Sequence, residues 1–119
     1  MERISFLTHK GKEILFVDLR DCPAAEVIQV TTQVQDVVTA RPQGSMLVLT
    51  DLAGAELTHG AITRIKEVAA YDRPYVKRSA VMGSEGQPKI FFEALKNFSR
   101  REFHQTKTRE EALDWLVED

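Results

Sequence analysis

Residues 47–60, LVLTDLAGAELTHG, contain the side chains of this 119-residue chain that most readily suggest chemistry. Asp51 ends an apolar run and His59 follows in the same segment, so a carboxylate and an imidazole share one predicted loop. Such a pair can act as general base and general acid in a hydrolase. The segment has no G-x-S-x-G sequence, which would supply a nucleophile. Hydrolysis is therefore the least favoured of the functions considered below.

The same residues also fit structural roles. A carboxylate at a strand end, such as Asp51, accepts hydrogen bonds from the N–H groups of the turn that follows. Thr58 stands where a helix running from Gly60 would need an N-cap. The small residues Ala53 and Gly54 leave backbone accessible to a ligand or a partner. Both a structural turn and a binding loop stay open at this point.

A second loop, GSEGQPK at residues 83–89, has glycines ahead of a helix, an arrangement that can bind phosphate through backbone N–H groups. A Walker loop would continue with Gly-Lys-Ser/Thr, whereas Gly86 is followed by Gln-Pro-Lys. Pro88 also removes one of the N–H groups that such a loop needs. We therefore interpret this segment as a connecting turn in which Gly83 and Ser84 line a shallow crevice.

The elements that must position these loops follow from the spacing of the apolar residues. We expect strands at residues 4–7, 14–17, 45–50, 79–82 and 102–104. A polar segment with Gly11 between the first two strands predicts an antiparallel hairpin. The first two expected helices run from Pro23 to Arg41-Pro42 and from Gly60 to just before Arg73. The third begins at Pro88 and has an inner face of Phe91, Leu95 and Phe98. The fourth begins at Thr108, where Glu111 completes a capping box, and Trp115 is expected to anchor it on the sheet.

This order of elements predicts a single α/β domain over residues 1–119, with an N-terminal β-hairpin. Strands that alternate with helices favour right-handed crossovers and a mixed, mainly parallel sheet covered by helices on both faces. In such sheets ligands bind beyond the carboxyl ends of the strands. The candidate site therefore lies at residues 51–60 and 83–88.

Composition narrows the function classes. The formal net charge is -2 and the isoelectric point is about 5.9, which gives no electrostatic footprint for nucleic acid. Charged residues flank each short apolar run near the N-terminus, so we expect a cytoplasmic protein without a signal peptide. Cys22 is the single cysteine and is interpreted as a structural thiol. The histidines, His9, His59 and His104, lack metal-ligand spacing, so we expect no metal and no cofactor.

Basic residues concentrate in the last third of the chain. They are Lys96, Arg100, Arg101, His104, Lys107 and Arg109, with Arg73, Lys77 and Arg78 nearby. Such charges usually form a solvated face. The alternative is a face that meets an acidic partner, including an anionic membrane surface.

A family resemblance enters through three segments. They are the strand end LVLTDLAG, the Ala-Val-x-Gly strand end at residues 80–83, and the closing segment TREEALDWLVE. With the order of elements, they resemble the SpoIIAA-like group of STAS domains over nearly the whole chain. That group is related in fold to the lipid-binding CRAL-TRIO domain. The resemblance implies a STAS topology and a non-catalytic binding module.

The resemblance also locates a position where related proteins are regulated. Anti-sigma-factor antagonists of the STAS class carry an Asp-Ser-Ser-Gly sequence whose second serine is phosphorylated. Here the Asp and Gly of that sequence fall on Asp51 and Gly54, and the serines fall on Leu52 and Ala53. Neither side chain can accept phosphate, so the switch is absent at that position. A displaced switch at Thr58 is a less favoured alternative.

Three functions are weighed. The first is a protein interaction module that uses the Asp51 loop, and the second is a carrier or sensor of an apolar small molecule or lipid with transient membrane contact. The third is the hydrolase that would use Asp51 and His59. The expected partner is a protein or an apolar small molecule, and an edge strand or an apolar helix face would allow a homodimer.

Overall fold

The computed structural model describes residues 2–118, which fold into a five-stranded mixed sheet and four helices. The strands are β1 (Ile4–His9), β2 (Lys12–Asp18), β3 (Met46–Asp51), β4 (Val76–Met82) and β5 (His104–Gln105). The helices are α1 (Ala24–Thr39), α2 (His59–Asp72), α3 (Lys89–Ser99) and α4 (Arg109–Leu116). The predicted α/β class is confirmed.

The strands lie side by side in the order in which they occur along the chain. β1 and β2 form the expected antiparallel hairpin, whose turn residues Lys10 and Gly11 both have positive φ. The pairs β2–β3, β3–β4 and β4–β5 are parallel. Asp18 pairs with Asp51, and Asp51 pairs with Met82, so β2, β3 and β4 end at the same level. The loops that follow these strands therefore meet at one edge of the domain.

Alternate residues of the strands point to opposite faces, and each face has its own hydrophobic cluster. Helices α1, α2 and α3 cover one face, where they pack against Leu15, Val17, Val48 and Val81. Helix α4 covers the other face, where Ala112 and Leu116 pack against Ile14, Phe16, Leu47, Leu49 and Ala80. Because both faces of β3 are covered, its residues Met46 to Leu49 are apolar without interruption.

Two threonines begin helices in the manner that the sequence predicts. The Thr108 hydroxyl oxygen accepts a hydrogen bond from the Glu111 N–H at 3.2 Å, and the Thr58 hydroxyl oxygen accepts one from the Ala61 N–H at 3.2 Å. Helix α2 begins at His59, one residue earlier than expected. The strands β4 and β5 also shift, since β4 begins at Val76 and β5 occupies residues 104–105.

The prediction that Phe98 lies on the inner face of α3 is wrong. The Phe98 side chain is 54% exposed, and the Lys66 ammonium group lies 5.2 Å from its ring centroid. Ser99 is buried in its place, and its hydroxyl donates to the Leu95 carbonyl oxygen at 2.6 Å. Arg100, with φ of 56°, ends the helix in the left-handed conformation, and the Arg101 N–H that follows donates to the Ser99 hydroxyl oxygen at 3.3 Å.

Trp115 rests on the β4–β5 edge of the sheet. Its ring stacks on His104 with centroids 4.3 Å apart, and the Arg78 guanidinium carbon lies 5.1 Å from its ring centroid. Ala112 and Leu116, rather than Trp115, are the buried residues of α4.

Candidate functional site

β2 and β3 each end in an aspartate, so two carboxylates lie side by side at the carboxyl-terminal end of the sheet. Asp18 is 7% exposed and Asp51 is 5% exposed, and they are paired neighbours in the sheet. Arg20, from the loop after β2, donates to both carboxylate oxygens of Asp18, from Nε at 2.9 Å and from Nη2 at 2.8 Å. Arg20 Nε also lies 3.8 Å from Asp51 Oδ2. This two-pronged contact lowers the pKa of the Asp18 carboxyl and raises the pKa of the Arg20 guanidinium.

Asp18 and Arg20 were not among the predicted site residues. The sequence does contain a signal for them, because Asp18 ends the second apolar run as Asp51 ends the third. The two runs become neighbours only through the parallel β2–β3 pairing, which the sequence does not state directly.

Asp51 performs the turn role that was one of its two predicted interpretations. Its Oδ1 accepts a hydrogen bond from the Ala53 N–H at 3.0 Å, and its backbone carbonyl accepts one from the Leu19 N–H at 2.9 Å. His59 is exposed in the first turn of α2. Among the described residues, no hydrogen bond joins Asp51 to His59, so the two are not brought together as a catalytic pair.

The loops after β2, β3 and β4 interlock through two glycines. Gly54 has a φ of 73° and packs so closely on the Asp21 side chain that a Cβ would overlap it. Gly83 has a φ of 71°, and a Cβ there would lie 2.5 Å from the Ala53 nitrogen and 2.6 Å from Asp51 Oδ1. The Asp21 N–H also donates to the Ala53 carbonyl at 2.9 Å. The structure thus brings together Asp51, Ala53, Gly54 and Gly83 from the predicted set.

Side-chain hydrogen bonds fasten the loop after β3 to two other segments. Gln87 Nε2 donates to the carbonyl oxygens of Leu52 at 3.2 Å and Ala55 at 3.1 Å. Glu56 Oε1 accepts from the Ala24 N–H at 2.7 Å, at the start of α1. Ser84 is placed differently from Gly83, since its hydroxyl donates to Gln105 Oε1 of β5 at 3.0 Å. Residues 51–56 therefore form a fixed loop.

What this edge offers to solvent is a small, rigid surface. Arg20, Asp21, Ala53 and Gly54 are exposed and joined by the contacts above, and we call these four residues the strand-end surface. Thr58 and His59 are also exposed but belong to the start of α2, where the Thr58 hydroxyl is engaged as the N-cap. At this edge the Asp18 carboxylate is paired with Arg20 and Asp51 Oδ1 accepts a hydrogen bond from the turn, so both groups are already bound by donors of the protein.

A second candidate site lies inside the domain. An apolar cavity of about 90 Å³ lies between the sheet and helices α1, α2 and α3. Most of its lining is aliphatic and aromatic, but Asp72, Ser79 and Arg101 also contribute to it. We call it the internal cavity.

Arg101 enters this cavity from the segment after α3. Its Nη1 donates to the Ala69 carbonyl at 3.1 Å and its Nη2 donates to Ser79 Oγ. Its guanidinium carbon lies 4.7 Å from the centroid of the Phe103 ring. Burial lowers the pKa of Arg101 to about 10.

Asp72, the last residue of α2, is the least satisfied polar side chain of the cavity. It is 2% exposed, and its Oδ1 has no hydrogen-bond partner. Burial raises the pKa of Asp72 to about 6, although the nearby charges of Arg101 and Arg64 act in the opposite direction. Sequence reasoning missed Asp72 because an acidic residue at a helix end normally faces solvent.

The expectation that Arg101 belongs to a solvated basic face is wrong, because the αL residue Arg100 turns it inward. Other members of the predicted basic cluster are also engaged. The guanidinium of Arg109 lies over the Phe16 ring, and Lys96 is 3.3 Å from Glu102. These side chains are dispersed over several elements.

Cys22 is buried, and burial raises the pKa of its thiol, as expected for a structural cysteine. Within residues 2–118, no group of three or more His, Cys, Asp or Glu side chains is arranged to hold a metal ion. Over the same span, every helix is too short or too polar to cross a membrane.

The sequence matches no protein-family model, and no curated protein or solved structure is significantly similar to it.

Proposed function

We propose that this chain is a non-catalytic, cytoplasmic binding module of the STAS type that contacts a protein partner through the strand-end surface. The observation that carries the proposal is that both carboxylates already have donors within the protein. Arg20 donates to Asp18, and the turn after β3 donates to Asp51. A committed carboxylate orients a loop rather than accepting a proton from a substrate. What the edge then offers is fixed backbone and small side chains.

The rigidity of this edge supports the proposal. Ordering a mobile loop on binding costs free energy for each residue that is fixed, and a loop that is already ordered avoids that cost. Residues 51–56 are held by Gln87, Glu56 and Gly83 before any partner arrives. The absence of a hydroxyl at Ala53 makes the contact independent of phosphorylation at that position.

The test is a comparison of crosslinked partners. The wild-type chain, Ala53→Glu and the matched control Ala40→Glu are each crosslinked in a lysate of the host cell, and the captured proteins are quantified. Ala40 is exposed at the C-terminal end of α1, and its neighbour Arg41 pairs with Glu13 near the start of β2, at the end of the sheet opposite to the strand-end surface. We expect one set of proteins to be captured by the wild type and the control and to be lost with Ala53→Glu, because a charged side chain there blocks close approach. Equal capture by all three, or no reproducible capture by the wild type, would refute the proposal.

The internal cavity favours a second candidate function, the binding of an apolar small molecule as a carrier or sensor. Ligand sites are typically concave and apolar with a few placed polar groups, and this cavity has that composition. Its volume of about 90 Å³ favours a small molecule over a long acyl chain.

A further inference from the structure

The polar groups of the internal cavity are few and differ in how well they are satisfied. Thr31 donates its hydroxyl to the Val27 carbonyl at 2.7 Å within α1, so its hydrogen is already used. Ser79 accepts from Arg101. Asp72 Oδ1 is different, because it is enclosed by the protein without any donor.

An enclosed acceptor without a donor is costly. Leaving a buried polar group unsatisfied destabilises a folded protein, and the destabilisation is larger when the group is charged. In the part of the chain that the structure describes, no ion pair joins Asp72 to Arg101 within 4.0 Å. The cavity between sheet and helices therefore has a carboxylate oxygen in need of a donor and a guanidinium group that contributes to the same lining.

The pairing of these two charges restricts the chemistry of a ligand. A carboxylate ligand would be attracted by Arg101 but repelled by Asp72, and an ammonium ligand would meet the reverse problem. A neutral hydroxyl group suits both, since its O–H can donate to a carboxylate while its oxygen accepts from a guanidinium N–H. The remaining lining, which includes Val68, Val81 and Phe91, suits a hydrocarbon body.

The volume restricts the size of the ligand. An engineered apolar cavity of about 150 Å³ binds benzene. At about 90 Å³, the internal cavity is of the right order for a single ring or a short branched chain.

We propose that the internal cavity binds a small neutral alcohol or phenol, whose hydroxyl donates to Asp72 Oδ1 and whose hydrocarbon body lies among the apolar side chains between the sheet and α1–α3. This inference rests on the second candidate function and is independent of the strand-end surface. It adds the polar group by which the ligand would be recognised.

The experiment is a titration of the ¹H–¹⁵N and methyl NMR spectra with phenol, toluene and benzoate. It uses the wild type, Asp72→Leu and the matched control Asp36→Leu, which changes an exposed aspartate of α1. We expect phenol to shift the methyl signals of Val68 and Val81 and to bind the wild type and the control about tenfold more tightly than toluene, the preference expected from one charge-assisted hydrogen bond. Asp72→Leu should bind toluene and lose the preference for phenol, and benzoate should bind weakest to the wild type.

The outcomes distinguish failure of the second candidate function from failure of the inference about the hydroxyl group. If none of the three compounds shifts the lining residues of the wild type, both the second candidate function and this inference are refuted. If phenol and toluene bind equally, or if Asp72→Leu keeps the preference for phenol, the cavity binds small molecules but the hydroxyl inference is refuted. Toluene binding by Asp72→Leu shows that the variant is folded.

Discussion

The effect of the buried Asp72 carboxyl on the free energy of unfolding depends on pH. Burial holds its pKa at about 6, above the ordinary value of 3.8, so between these values the folded chain keeps a proton that the unfolded chain releases. The stabilisation from this proton is complete below about pH 3.8 and is lost as the pH rises through about 6. Above that value the enclosed carboxylate is ionised without a hydrogen-bond donor on Oδ1.

The first prediction is that Asp72→Asn stabilises the protein at pH 7.5. We expect the free energy of unfolding to rise by about 1–3 kcal/mol at pH 7.5, because the variant removes an unsatisfied buried charge. The gain should shrink as the pH falls to 4.5, where the wild-type carboxyl is protonated. Urea denaturation at both pH values measures the difference, and Asp36→Asn on the exposed face of α1 provides the control. A gain of equal size at both pH values would show that the charge of Asp72 is not its source.

For individual residues, the sequence predicted the roles of some side chains and not those of others. The N-caps Thr58 and Thr108 follow from local spacing and are confirmed. Asp72 and Arg101 are indistinguishable in the sequence from surface charges, because their burial depends on helices and strands distant along the chain. Arg100 and Arg101 show the difficulty most clearly, since two identical neighbours have opposite surroundings.

At the carboxyl-terminal end of the sheet, the loops after β3 and β4 are in close contact. Gly83 sits against Ala53 and Asp51, and its φ of 71° lies in the left-handed region that favours glycine. Any side chain at residue 83 therefore meets both steric overlap and backbone strain.

The second prediction concerns this contact. Gly83→Ala should lower the free energy of unfolding by more than about 1–2 kcal/mol, since backbone strain alone accounts for that amount and the overlap adds to it. Gly86→Ala is the matched control, because residue 86 lies in the same loop with open space around it. Its expected effect is within about 0.5 kcal/mol. Chemical denaturation of both variants measures the difference, and equal effects would contradict the interlocking of the two loops.

The elements themselves were largely predictable, because apolar periodicity and capping residues are local signals. The hairpin, the alternation of helices and strands and the Pro23 and Pro88 helix starts all agree with the structure. The inner face of α3 was not predictable from periodicity alone. Phe98 and Ser99 both lie near that face, and of the two it is Ser99 that is buried.

At the scale of the whole molecule, the two faces of the sheet are covered unequally. Helices α1, α2 and α3 share one face, whereas among the described residues α4 is the one helix on the other. The eight residues of α4 therefore close an entire hydrophobic cluster. Their position is reinforced by the 2.8 Å contact of His9 Nε2 with Asp114 Oδ1 and by the Arg78 hydrogen bond to the Trp115 carbonyl at 2.7 Å.

The third prediction follows from this arrangement. Leu116→Ala should lower the free energy of unfolding by about 2–5 kcal/mol, because Leu116 is 1% exposed at the centre of the second cluster. Leu113→Ala, at a partly buried position of the same helix, should cost less. Thermal and urea unfolding of the two variants give the comparison. A larger loss from Leu113→Ala would show that α4 packs on the sheet through a different side.

The sequence predicts this organisation only in part. Uninterrupted apolar strands such as LVL at 47–49 indicate that both faces are covered. They do not indicate how many helices share each face, because that depends on the direction of every crossover.

The late position of α4 in the chain has a consequence for how the protein is made. The strands lie in the sheet in the order in which they leave the ribosome, so the neighbour that each strand pairs with is already made when the strand emerges. Ile14, Phe16, Leu47 and Leu49 nevertheless have no helix over them until residues 109–116 have emerged. During that interval the nascent sheet exposes an apolar face to which a second unfinished chain or a chaperone can bind.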